Sequence, residues 1–321
     1  MEYTSDTSII LGSFEQREQR RLSLFSKAWS QCVPKVFEDV PKYYRLGNIV
    51  ASLGLWELWV WQFVRTITLR PQHKVLDVCA GTNSIGIRLL KKQRDISVTA
   101  IDRSKEMQVQ GTIDAEKLGL HIDSVIHDVH ELPFPDNSFD VITLQAASRH
   151  LKLDKVLPEI FRVLKPGGCF YHCDMLKPTN PIVEWFYLRY LRLSLPLTAR
   201  LFGSTPATRS CEAYFVEAIR HFYTPEELSG VLNLIGFTQV TCKKSIWGGM
   251  VGFHRARKNL YNTGHEELRI AELVCAQSLR SAQATFLEER CQVSHSNILR
   301  GSYLWTTRLT VMYCRPLNAT K

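Results

Sequence analysis

The sequence has no CxxC pair, no His-rich zinc spacing and no regular cysteine framework. Its nine cysteines, at 32, 79, 169, 173, 211, 242, 275, 291 and 314, are odd in number and scattered. This argues against a disulfide-stapled scaffold and a metal centre, and it predicts a reducing compartment. No stretch of about 20 uninterrupted apolar residues occurs, so no bilayer-spanning helix is expected. The opening residues MEYTSDTSIILGSFEQREQRR lack the basic end, apolar run and small-residue cleavage site of a secretory signal, and their acidic residues are unlike a transit peptide. A cytoplasmic location, peripheral on a membrane surface at most, is therefore the expectation. Internal repeats and low-complexity blocks are also missing, which excludes solenoids and arrays.

What is present describes a folded chain. At 321 residues, with 45% hydrophobic and 22% charged residues, it accommodates one large α/β domain with an appendage. Forty Lys plus Arg against 31 Asp plus Glu leave a formal charge of +9, which favours an anionic contact such as a phospholipid surface or a charged metabolite. The basic residues are dispersed and no recognition module accompanies them, so nucleic acid is not an expected partner.

From 73 to 178 short β-branched or apolar runs alternate with amphipathic stretches: HKVLDVCA, SIGIRLLKKQ, ISVTAID, SKEMQVQGTIDAEKLG, IDSVIHDV, FDVITLQA, LDKVLPEIFRVL and GCFYHCDML. That rhythm is βαβαβ and implies a mostly parallel sheet with helices on both faces, a Rossmann-like α/β fold. Residues 1–65 precede it as a helical segment expected to cover the site. Residues 179–223, rich in aromatics and arginine, read as an inserted helical cap. TPEELSGVLNLIG is a helix with Thr224 as N-cap and Pro225 in its first turn, and FTQVTCKKS with MVGFHRA resembles a closing antiparallel pair. The wound domain thus occupies about 66–257. The extension 258–321 carries one predicted helix over 266–290, which could dock on the domain or form a homodimer contact.

The sharpest chemical signal is VLDVCAGTN (75–83), a buried strand entering a small-residue turn and then a helix. Such a turn bares backbone N–H groups to a ligand, and the helix N-terminus favours a carboxylate. The strand ISVTAI ends in Asp102, suited to accept from two ribose hydroxyls, and IDSVIHD ends in Asp128, within reach of an adenine amino group. The G-x-G-x-x-G needed for pyrophosphate is absent, which weighs against a dinucleotide. Acidic Asp77, a single central Gly81 and acidic strand tips suit S-adenosylmethionine, whose amino group needs a carboxylate and which has no phosphate. Met107, one turn into a helix capped by Ser104, could cover the adenine face. The expected donor site comprises Asp77, Ala80, Gly81, Thr82, Asn83, Asp102, Arg103, Met107, Asp128, Val129 and Gln145.

YYRLGNIVASLGLWELW (43–59), VLDVCAGTN, LPFPDNSFDVIT (132–143), RVLKPGG (162–168), KP (177–178), YFVEAIRHF (214–222) and GGMVGFHRA (248–256) resemble, in order and spacing, the ubiquinone/menaquinone-biosynthesis C-methyltransferases. The likeness covers about residues 35–257. It implies a class I methyltransferase with a seven-stranded sheet, acting on a prenylated quinol or related phenolic lipid. The family's GGTG turn reads Ala80-Gly81-Thr82-Asn83 here, with Asn tolerating positive φ. Its Tyr-Asp reads Tyr44-Arg45, and its G-L-R-N reads Ala147-Ser148-Arg149-His150. These departures are expected to ring the acceptor pocket.

By the same resemblance Arg149 would stabilise a developing oxyanion and Tyr44 would orient the ring. His150 is a candidate base, weighed against a hydrogen-bonded or surface histidine. Asp174 reads as structural. Trp185, Phe186, Tyr187, Tyr190 and Leu191, with Arg189 and Arg192, read as an aromatic cap over the pocket. Two other readings stand beside this one: methylation of a different small molecule on the same scaffold, and a non-catalytic accessory protein that keeps the fold.

Overall fold

The computed structural model describes residues 3–245 and 250–260. The helix read over 266–290 lies outside the described residues. The chain opens with α1 (Tyr3–Lys27), a π turn at Ala28–Cys32, α2 (Val33–Asp39), α3 (Tyr44–Ala51) and α4 (Leu55–Thr66). Pro34, in the first turn of α2, has no N–H to give the preceding turn, which accounts for the widened ladder there.

The wound part follows as β1 (His73–Val78), α5 (Ser84–Lys92), β2 (Ile96–Asp102), α6 (Lys105–Glu116), β3 (Asp123–Ile126), β4 (Phe139–Gln145), α7 (Leu153–Val163) and β5 (Leu164–Met175). A 3-10 turn, Ser148–His150, separates β4 from α7. After β5 come α8 (Pro181–Leu201), α9 (Pro206–Ser210), α10 (Glu212–Arg220), α11 (Pro225–Ile235), β6 (Thr238–Lys244) and β7 (Val251–Arg257).

The seven strands form one sheet in the order β3-β2-β1-β4-β5-β7-β6. β1 to β5 are parallel, and β7 runs antiparallel to both β5 and β6. Helices cover both faces, so central strands are apolar almost throughout: Val75, Leu76, Val78, Ala100, Ile101, Ile142 and Leu144 are all buried. On one face Trp56, Val60 and Phe63 of α4 and Leu89 of α5 join Val75 and Val98 in a single core.

Local signals agree with this frame. Thr224 and Glu227 form a reciprocal capping box at the start of α11, and Gly236 ends that helix at φ 114°. The Ser104 side chain accepts from the Met107 amide at the start of α6. The strand order reverses between β1 and β4, so the carboxyl ends of these strands flank the crevice where open α/β sheets bind ligands.

Candidate active site

The backbone at the crevice is unusual. Cys79, at the tip of β1, and Ala146, at the tip of β4, both adopt left-handed φ, 52° and 56°. Such values are costly for residues with a Cβ and cluster where function demands them. Gly81 (φ 53°) and Asn83 (φ 57°) complete the turn, so Asn83 takes the conformation expected of it. The left-handed φ of Gly81 disfavours a side chain there, and a Cβ would also press on the Met107 methyl at 3.0 Å. Gly111 lets α6 close on the turn, since a Cβ there would lie 2.7 Å from Asn83.

The turn is buttressed by a residue that sequence reading missed. Gln108 Nε2 donates to the Gly81 carbonyl at 2.9 Å and to Asn83 Oδ1 at 3.0 Å, while its Oε1 accepts from Ser124 Oγ at 2.6 Å. A glutamine in a helix reads as solvated, yet this one is buried. Its partners are 16 to 27 residues away, so local pattern gives no sign of it.

A cavity of about 240 Å³ opens at the strand tips. Of the residues expected at the donor site, Gly81, Asp102, Arg103, Met107, Asp128, Val129 and Gln145 line it, as do Tyr44 and His150. Val33, Phe37 and Glu38, close over it from α2. Asp102 Oδ2 accepts from the Gly81 amide and Oδ1 from the Ser104 amide, each at 2.9 Å. Burial nevertheless raises the Asp102 carboxyl above its ordinary value. For Asp128 burial is outweighed by the His130 amide (3.0 Å) and imidazole (2.5 Å), which hold the carboxyl below its ordinary value.

Asp77, Ala80, Thr82 and Asn83 do not line the cavity. Asp77 lies beneath the turn at 1% exposure, with Oδ1 accepting from Thr143 Oγ1 at 2.6 Å and Oδ2 lacking a partner of good geometry. Burial pushes its carboxyl from 3.8 up to about 7, against the Thr143 hydroxyl and the Gly86 amide. A raised folded-state pKa means that this group's contribution to stability is complete below about pH 4 and is lost as pH rises through about 7. Over that window the unliganded protein should lose up to about 4 kcal/mol through Asp77. Asp77→Asn should flatten the dependence, and urea midpoints at pH 5 and 8 measure it. An unchanged slope in the variant would show that Asp77 does not titrate there.

A second cavity, about 170 Å³, shares lining residues with the first and is mainly apolar. Val36, Val40, Leu191, Leu195 and Ile219 line it, with Arg149 as its buried cation. Phe37 and Tyr44 line both cavities and stand 6.2 Å apart between ring centres.

Arg149 sits in the 3-10 turn after β4, where its Nη1 pairs with Asp174 Oδ1 and donates to the Ala146 carbonyl at 3.0 Å. Its Nε–H is buried without a partner. Asp174 Oδ2 accepts from Ser148 Oγ at 2.5 Å, and that hydroxyl also meets His172 Nε2 at 2.8 Å. Asp174 is therefore the anchor of the turn.

His150 is buried, not at the surface. Trp29 Nε1 donates to Tyr214 Oη at 2.8 Å, which leaves the tyrosine's own proton for His150 Nδ1 at 2.6 Å. That arrangement puts the remaining ring proton on Nε2, which lacks a partner. Burial, aided by Arg149, Arg21 and Arg103, holds His150 well below its ordinary pKa, so it is neutral. With Nδ1 occupied, it offers a hydrogen-bond donor and not a base.

Two expectations about the acceptor side are corrected. Arg45 lines neither cavity; it points outward to Glu57 at 2.8 Å, because that carboxylate, shared with Arg88, supplies the nearest counter-charge. Trp185 and Phe186 do not roof the pocket, being 55% and 63% exposed. The inward face of α8 is instead Tyr187, Leu188 and Leu191.

The residues fit S-adenosylmethionine. An anchored carboxylate at the β2 tip and apolar Met107 and Val129 surround a glycine turn too sparse in glycine to cradle a pyrophosphate. Sheet and site together define a class I S-adenosylmethionine-dependent methyltransferase. Among solved structures, an S-adenosylmethionine-dependent methyltransferase from Aquifex aeolicus aligns with a TM-score of 0.44 at 21% identity, covering 62% of this chain and 88% of that one. A ubiquinone/menaquinone biosynthesis C-methyltransferase, UbiE, from Cereibacter sphaeroides is 32% identical over 205 residues, 63% of this chain and 81% of that protein. The UbiE of Rickettsia rickettsii is 34% identical over 231 residues, 70% and 91% of the two chains. The profile of the ubiE/COQ5 methyltransferase family matches residues 25–258, and the chain belongs to that family.

Proposed function

We propose that this enzyme methylates a ring carbon of a prenylated quinol or a related phenolic lipid. The supporting observation is the shared wall: Phe37 and Tyr44 belong to both the acid-lined cavity at the strand tips and the apolar cavity under α8. Because these two residues border both cavities, a donor in one and an acceptor in the other would be held next to each other at the shared edge, and such proximity is most of what this reaction needs.

S-adenosylmethionine supplies an electrophilic methyl group on a sulfonium. Asp102 would hold the ribose hydroxyls with the acceptor capacity that the Gly81 and Ser104 amides leave over, and Met107 and Val129 would cover the adenine. On the acceptor side the aromatic edges of Phe37 and Tyr44 exclude water and orient the ring. The Arg149 guanidinium at the apolar cavity would stabilise the ring oxygen as its phenolic proton is released to solvent; the electron-rich neighbouring carbon would bond the methyl as the methyl–sulfur bond breaks and S-adenosylhomocysteine leaves, and that carbon's own proton would then pass to solvent.

The exposed face of α8 supports a reading of partner and location. Its inner face lines the apolar cavity, while Ile182, Phe186, Leu193, Leu197 and Leu201 form an outward stripe at nearly four-residue spacing. Arg189 lies 5.2 Å from the Trp185 ring centre on the same helix. Among the described residues no helix is long and apolar enough to cross a membrane. Exposed apolar and aromatic side chains interleaved with arginine on one helix suit shallow insertion at an anionic lipid surface, where a lipid acceptor resides.

Incubation with methyl-labelled donor and a membrane lipid extract tests the proposal: label should enter the quinol-containing lipid fraction. Trp185→Glu/Phe186→Glu should lose vesicle-bound turnover about tenfold while keeping turnover of detergent-dispersed acceptor. Label appearing only in water-soluble products would overturn the lipid assignment.

A further inference from the structure

The matched family profile starts at residue 25, yet α1 sends two charged side chains from before that point into the active-site turn. Arg21 is 1% exposed and Glu18 4%, and they pair at 2.5 Å. Arg21 Nη2 donates to the Arg149 carbonyl at 3.0 Å and to the Leu151 carbonyl at 3.1 Å, one on each side of His150. Glu18 Oε2 accepts from the Leu153 amide at 2.8 Å, at the start of α7, and its Oε1 accepts from Tyr223 Oη at 2.7 Å. The Arg21 guanidinium lies 4.9 Å from the Phe222 ring centre. Two buried charges are thus spent on the backbone of residues 149–153, the segment that carries Arg149 to the apolar cavity and His150 to the polar one.

We propose that Glu18 and Arg21 are positioning residues, with α1 acting as a clamp that fixes the 149–153 backbone for acceptor chemistry. The geometry favours this over a merely stabilising pair. A planar guanidinium reaches two carbonyls and a carboxylate at once, which no apolar pair could do. Ordinary helix docking needs no buried ion pair, because apolar replacements of such pairs are often neutral for stability.

The clamp itself is independent of what the acceptor is; only the kinetic arm of its test rests on the function proposed above. The full chain is compared with Arg21→Met, Arg21→Lys and the double variant Glu18→Gln/Arg21→Met. The double variant leaves no uncompensated charge and should therefore fold. Hydrogen exchange of the 147–153 segment should accelerate about tenfold or more in Arg21→Met and the double variant, with the 77–83 turn unchanged. S-adenosylhomocysteine affinity, read by calorimetry, should stay within about twofold, whereas kcat should fall on the order of 10²-fold, as small misplacements do. Arg21→Lys, able to serve one carbonyl, should recover part of both effects.

Unchanged exchange at 147–153 in the double variant would overturn the clamp. So would a parallel loss of donor affinity and turnover, which would indicate general loosening. If the unaltered protein methylates no lipid, the acceptor reading fails, and the exchange measurement still decides the clamp.

Discussion

Arg149→Leu is expected to destabilise the fold by about 3–5 kcal/mol, because it strands the Asp174 carboxylate in a dry site without its counter-charge. Asp174 is 2% exposed, and its remaining contacts are the Ser148 hydroxyl and the Arg149 and Met175 amides, none of which carries charge. A fall in turnover in this variant alone would therefore say little about chemistry. The double variant Arg149→Leu/Asp174→Asn removes both charges and should recover most of the stability, since a neutral amide can still accept from Ser148. It should not recover methyl transfer, because the guanidinium that lines the apolar cavity is gone. Denaturant midpoints with single-turnover rates separate the two effects. A double variant that is stable and fully active would remove Arg149 from the reaction and leave it a structural ion pair.

The wound core was legible because its physics is local. Parallel strands buried on both faces must be apolar runs, and HKVLDV, ISVTAID and FDVITLQ are such runs. Caps at Ser104 and Thr224 were legible for the same reason, since the groups they satisfy lie within three residues. Asp102 and Met107 could be placed at the cavity because a strand tip and the first turn of the next helix have little freedom in this fold.

What stayed hidden depends on long-range partners. Asp77 alternates with its neighbours along β1, and only the packing of Thr143 from β4 shows that it faces beneath the turn. Gln108, Glu18 and Arg21 look like solvated helix residues, because a polar side chain in a helix gives no sign of whether its partner is water or a carbonyl 128 residues away. The aromatic and arginine pattern of α8 points to a cap over the pocket without saying which of its faces turns inward. Hydrophobicity cannot distinguish an inward Tyr187 from an outward Phe186 one position earlier, and a helix that exposes large apolar side chains on its outer face while its inner face lines a cavity breaks the usual rule.

Asp102→Ala should weaken S-adenosylhomocysteine binding by about 10²-fold or more. Each ribose hydroxyl donating to a carboxylate contributes about 1.5–3 kcal/mol, so two such bonds exceed the roughly 2.7 kcal/mol that a 10²-fold loss represents. A second effect adds to the first. The same carboxylate holds the Gly81 and Ser104 amides, so its removal frees the glycine turn and the first turn of α6 together. Asp102→Asn discriminates between these contributions. An amide has one acceptor oxygen, and its NH₂ would face an amide N–H at Gly81 or Ser104, so the asparagine variant should bind nearly as poorly as alanine although it is almost isosteric. Calorimetric titration of both variants is the measurement, with Gln108→Ala as a comparison that loosens the turn while keeping the carboxylate. If Asp102→Ala binds within threefold of the unaltered protein while Gln108→Ala binds poorly, turn geometry alone holds the nucleoside, and the ribose assignment falls.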